Sequence, residues 1–172
     1  MAEKAAASEN PAELPPHELA VYIVEKHHRF LYRELPRLHA MAERVAHVHG
    51  GHTPSLIELF DVFTSIEEEL ASHMAKEEQV LFPAVIALSR GETVSASLDG
   101  PIECMIHEHE QVGEYLGRLR ELSDGFQPPA DACNTYRALF AGLRDLEEDV
   151  HRHIHLENAV LFPAAEALAK AV

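Results

Sequence analysis

A chain of 172 residues with 14 Lys and Arg against 29 Asp and Glu has a formal net charge of −15, a sign that repels nucleic-acid phosphates and anionic lipid headgroups. With 47% hydrophobic and 25% charged residues, few glycines and no Trp, it reads as one helical domain able to bury a core without disulfide staples. No apolar run approaches the roughly 20 residues of a membrane span, and Met1-Ala2-Glu3-Lys4 lacks a signal-peptide start, so a cytoplasmic location is expected, with neither nucleic acid nor membrane as partner.

Residues 1–14, rich in Ala and Glu and leading into Pro15 and Pro16, read as a flexible tail, and 15–172 as the folded domain. Breakers at Gly50-Gly51 with Thr53-Pro54, from Gly91 to Gly100-Pro101, and from Asp124-Gly125 to Pro128-Pro129 leave four helical segments, roughly 17–49, 55–90, 101–123 and 131–170. Each carries a stripe of residues alternately three and four apart, which predicts an all-α, up-down-up-down four-helix bundle. The first stripe is Val21, Val24, His28, Leu31, Leu35, Leu38, Ala42 and Val45; the second is Leu59, Phe63, Ile66, Leu70, His73, Glu77, Val80 and Ala84. The third is Ile102, Met105, His109, Val112, Leu116 and Leu119; the fourth is Leu139, Leu143, Leu146, Val150, His153, Glu157, Val160 and Ala164. Their only polar members are four His and two Glu.

An internal repeat organises these six. Ser72-His73-Met74-Ala75-Lys76-Glu77-Glu78 through Leu81-Phe82-Pro83-Ala84 is echoed 80 positions later by Arg152-His153-Ile154-His155-Leu156-Glu157-Asn158 through Leu161-Phe162-Pro163-Ala164, and His28 and His109 stand 81 apart. Two helical hairpins of one design follow, each with a lone His on its first helix and His-x-x-x-Glu on its second. Residues four apart share a helix face, so each pair presents a nitrogen and a carboxylate to one point. The midpoints between these groups on successive helices fall on Gly51, beside Gly91 and just after Pro128-Pro129, which sets all six in one layer near mid-bundle.

Burying so many ionisable groups unpaired costs several kcal/mol each, and cations resolve the conflict. His28, His73, Glu77, His109, His153 and Glu157 are therefore the candidate metal ligands. His27 and His107 lie off the stripes and are second choices. His49 is on the first stripe but about 30 Å from His28 at 1.5 Å per residue, too far to join. It reads as a cap or surface residue, as do His39, His47, His52, His151 and His155. Tyr32, Glu108 and Tyr136 are candidate partners for the outer ring nitrogens. Cys104 and Cys133 form no thiolate motif and read as buried or partly buried thiols. Mixed imidazole and carboxylate ligation disfavours Ca and Mg, and six ligands are too many for one zinc. Two iron ions with two terminal His each, bridged by both carboxylates, leave room for an oxo or hydroxo bridge and a small ligand; dimanganese or dizinc stays open. Pro83 and Pro163 each remove one helical hydrogen bond, to Gln79 and Ala159, so a kink just past the site is expected.

These residues resemble the hemerythrin-like (HHE cation-binding) domain, and most closely that of the RIC family of di-iron proteins for repair of iron centres. The matching stretches are His28 through Leu35-Pro36, Ser72-His73-Met74-Ala75-Lys76-Glu77-Glu78, Gly100-Pro101-Ile102 with Glu108-His109-Glu110, Pro128-Pro129 with Ala132-Cys133, and His153 to Asn158 with Leu161-Phe162-Pro163. The resemblance implies His28, His73, His109 and His153 as terminal iron ligands and Glu77 and Glu157 as bridges. It further implies a nitrosative and oxidative stress protein that reacts with nitric oxide and oxygen and repairs damaged iron-sulfur proteins by iron donation. Many family members carry an N-terminal domain with a cysteine pair, and here only a short tail is read ahead of the bundle. A reversible oxygen or nitric oxide carrier or sensor is the alternative, and a purely structural bundle the plainest; whether the protein is an enzyme is left open.

Overall fold

The computed structural model describes residues 10–94 and 97–171. Four long helices account for nearly all of it, with no strand among the described residues. Helix α1 comprises Pro16–Ile23 and Arg29–His49, joined through a π turn at Val24–His28. Helix α2 comprises Ser55–Lys76 and Phe82–Ser89 on either side of a π turn at Glu77–Leu81. Helix α3, Asp99–Leu122, is regular throughout. Helix α4 comprises Asn134–Leu156 and Phe162–Ala171 around a π turn at Glu157–Leu161. α1 packs on α2 and α4, and α2 packs on α3, giving the all-α up-down-up-down bundle that the stripes predict.

Helix ends follow local chemistry. α3 starts at Asp99 rather than 101 because Pro101 is tolerated in a first turn, where its missing N–H has no helical partner. α4 starts at Asn134 rather than 131 because the backbone is still extended at Cys133. Residues 1–9 of the expected tail lie outside the described residues; from Asn10 onward, Pro11–Glu13 form a single 3-10 turn and Leu14 packs on the core.

The π turns correct the sequence-derived stripes. Each inserts one extra residue, which advances the helical phase by about 100°. Val21 and Val24 accordingly give up the buried face to Ala20 and Ile23, and Val21 is 52% exposed. Val80 and Ala84 give way to Leu81 and Val85, and Val160 and Ala164 to Leu161 and Ala165, each one position later, whereas in α1 the shift is one position earlier. α3 has no π turn, and all six of its stripe residues are buried. The irregularity begins at the glutamates themselves. Phe82 N–H reaches back to the Glu77 carbonyl and Phe162 N–H to that of Glu157, before the chain meets Pro83 or Pro163.

Two apolar bodies fill the interior. The larger runs from Leu31 and Leu56 to Val150, and the smaller gathers Leu19, Ile23, Phe82, Ile102, Phe162 and Ala165. The six candidate ligands lie in the interval between them, all 5% exposed or less. Gly142 lets α4 approach α1, because a Cβ there would stand 2.5 Å from Leu38 Cδ2. No helix among the described residues is long and apolar enough to cross a membrane.

Candidate metal centre

The π turns bring ligand-type side chains inward. His28 closes the turn in α1, and Glu77 and Glu157 open those in α2 and α4. His73 and His153 sit one helical turn before these glutamates, and His109 projects from the regular α3.

The six side chains form two sets of four that share both carboxylates. His28, His153, Glu77 and Glu157 make one set, and His73, His109, Glu77 and Glu157 the other, with the ligand atoms of each set within 4.8 Å of one another. Glu77 Oε2 lies 3.2 Å from His28 Nε2 and 3.3 Å from His73 Nε2; Glu157 lies 2.8 Å from His153 Nε2 through Oε1 and 3.1 Å from His109 Nε2 through Oε2. Within the second set the two rings also touch, His73 Nε2 to His109 Nε2 at 3.0 Å.

Several of these atoms are buried with no hydrogen bond of proper geometry: His28 Nε2, both oxygens of Glu77, and Glu157 Oε2. Orphaned acceptors in an apolar interior are costly, and here they converge. Electrostatics carry the same message. Burial disfavours a charged His73, but hydrogen bonding and charge from Glu77, with Glu157 and Glu108, outweigh it and raise its pKa to about 9. His28 is raised in the same way, burial being outweighed by Glu77 and Glu78. Burial opposes ionisation of Glu157 too, yet His153 and His109 hold its carboxyl well below the usual range. The layer thus demands positive charge among its carboxylates. Four imidazoles and two carboxylates in two sharing sets are a donor set for a pair of transition-metal ions.

Outer partners fix most of the rings. His28 Nδ1 donates to Glu78 Oε1 at 2.8 Å, and Tyr32 donates to that same oxygen at 3.1 Å. His73 Nδ1 donates to Glu108 Oε2 at 2.9 Å, and Lys76 pairs with the other Glu108 oxygen. His109 Nδ1 donates to Asn158 Oδ1 at 2.9 Å. Phe82 stacks on His28 and Phe162 on His109. Of the three partners expected from sequence, Glu108 holds a ring directly and Tyr32 acts through Glu78. Tyr136 does neither, since it packs on Phe140 and His49 near the start of α4. Glu78 and Asn158 were missed, although each directly follows a glutamate of the repeat.

The remaining histidines separate by register. His27 is buried, 6% exposed, because the π turn brings it inward beside His28; its Nδ1 meets Asp149 Oδ1 at 3.0 Å and its ring stacks on His153. The side chain of His107 is 80% exposed. His47, His52, His151 and His155 are exposed; His39 pairs with Glu67, and His49 Nε2 lies 3.4 Å from Cys133 Sγ. Both cysteines are exposed rather than buried, Cys133 at the loop end before α4 and Cys104 on the outer face of α3.

A bundle whose core is interrupted by one shared His and Glu layer belongs to the cation-binding class of helical bundles. The chain matches the Hemerythrin HHE cation binding domain over residues 19–165 and is a member of that family. It is 41% identical over 144 residues to the iron-sulfur cluster repair protein ScdA of Staphylococcus haemolyticus (strain JCSC1435), covering 84% of this chain and 64% of that one. It is 42% identical over 153 residues to the iron-sulfur cluster repair protein YtfE of Edwardsiella ictaluri (strain 93-146), covering 89% and 67%. With the YtfE of Pectobacterium carotovorum subsp. carotovorum (strain PC1) identity is 39% over 167 residues, covering 95% and 73%. The chain thus spans about two thirds of the length of these relatives.

Proposed function

We propose that this protein is a cytoplasmic, non-haem di-iron protein of the nitrosative and oxidative stress response that repairs damaged iron-sulfur proteins by donating iron. Residues 15–172 act as one hemerythrin-like bundle behind a tail of 1–14. His28 and His153 would hold one iron and His73 and His109 the other, with Glu77 and Glu157 shared between them. The observation that carries the reading is the sharing of both buried carboxylates by the two histidine pairs.

Two irons so held supply positions for a small ligand such as nitric oxide or oxygen and an accessible redox change. The chain's own residues set the terms. Glu78, Glu108 and Asn158 orient three of the four rings and raise their basicity toward a cation. Phe82 and Phe162 stack on His28 and His109, and the apolar bodies above and below limit water. The repair named in the relatives' descriptions favours donation over reversible carriage.

Iron analysis with Mössbauer spectroscopy on purified protein tests the centre: two irons per chain in a coupled pair are expected. Reactivation of an iron-sulfur enzyme inactivated by nitric oxide tests the repair. Recovery with loaded protein and none with Glu77→Gln supports it; equal recovery with both ends it.

A further inference from the structure

We propose that the two metal positions are unequal and that the ion held by His28, His153, Glu77 and Glu157 is the exchangeable one, because His27 stands where the other half has a carboxylate. This rests on the two-iron reading and adds which ion leaves and which residue decides it.

The internal repeat makes the comparison direct. The 81-residue offset that relates His28 to His109 relates His27 to Glu108, the residue before each, while the 80-residue offset relates His73 to His153. In one half, Glu108 accepts the Nδ1–H of His73 and is itself pinned by Lys76. In the other, the ring of His27 lies nearly parallel to that of His153, with centroids 5.4 Å apart and 11° between planes, so it faces the ring and accepts nothing from it. Its Nδ1 is engaged with Asp149. His153 is 1% exposed, and its Nδ1 is a buried atom with no hydrogen-bond partner among the described residues; Asp149 Oδ2 is another. The other three rings all have an oxygen acceptor on Nδ1.

An outer acceptor fixes ring orientation and strengthens the ligand, and its loss typically weakens metal binding about 10- to 100-fold. Among the described residues, only the first set contains a ring without one. A groove of about 390 Å³ lined by Tyr22, Lys26, His27, Asp149, Arg152 and Leu156 reaches His27 from the surface. An ion held beside His153 would therefore be the more weakly bound of the two, and the one to pass to an iron-depleted acceptor.

Swapping the two residues tests this. Full-length protein loaded with two ferrous ions is challenged with excess 2,2′-bipyridine, and release is followed by chelate absorbance. The wild type is expected to give two equal phases separated about 10- to 100-fold in rate. His27→Glu, which supplies His153 with the carboxylate present in the other half, should slow the fast phase until the two merge. Glu108→His should instead speed the slow phase. Should His27→Glu fail to fold, His27→Gln offers a neutral acceptor and should slow the fast phase to a smaller degree. Release in one phase by the wild type, or a fast phase unchanged in a folded, two-iron His27→Glu, overturns the proposal while leaving the di-iron reading intact. Loading below two ions per chain in the wild type overturns both.

Discussion

Glu77 lies in both ligand sets, whereas His28 lies in one. That difference gives a residue-level prediction. Glu77→Gln, which keeps shape but removes the charge, should lose both ions, while His28→Ala should weaken chiefly one; metal content after dialysis against a mild chelator reads the contrast. The same layer predicts how the metal-free protein responds to pH. Despite burial, Glu77 and its fellow carboxylates raise the pKa of His73 from 6.5 to about 9. A folded-state value above the unfolded one means that protonated His73 stabilises the fold. That contribution is complete below pH 6.5 and is lost as pH rises toward 9. Melting temperature of the metal-free protein should therefore fall across this window. The loaded protein should not share the fall, because the metal takes the place of the protons.

Among the helices, the three π turns carry the site. Such turns recur where a helix must deliver a functional side chain without losing its packed face. Their extra residue leads to a test at neighbouring positions: Val80 is 59% exposed and Leu81 only 2%. Val80→Ser should change stability by no more than about 0.5 kcal/mol, and Leu81→Ala should cost about 2–5 kcal/mol, both by urea unfolding. An uninterrupted α-helix would reverse the order. At the α1 and α4 contact, Gly142→Ala should cost about 1–3 kcal/mol by urea unfolding, because its Cβ meets the buried Leu38 side chain, which must shift in a packed core.

For the molecule as a whole, the polar layer divides two apolar bodies, and its charges are compatible with a folded core only when neutralised. Removing metal should therefore lower stability throughout. A ligand at 100 times its Kd stabilises by about 2.7 kcal/mol, and each kcal/mol moves the melting temperature of a domain this size by about 2–4 °C. Strong chelator should depress melting by at least about 5 °C, and a protein with no shift would be a purely structural bundle.

How much of this was legible in the residues depends on the range of the interaction involved. Apolar spacing, breakers and the repeat were enough to predict four helices, their order, and the convergence of His28, His73, Glu77, His109, His153 and Glu157, because each rests on local periodicity and on equal distances from a turn. Glu108 was reachable for the same reason. The burial of His27 and the exposure of Val21 and Val80 were not, since a one-residue slip of hydrogen bonding from i−4 to i−5 leaves no mark in composition or spacing. Only the packed helices decided which oxygen each imidazole meets, and that His153 meets none among the described residues. Those pairings join side chains on different helices, and their geometry depends on how the helices are rotated about their own axes, which the core settles as it packs.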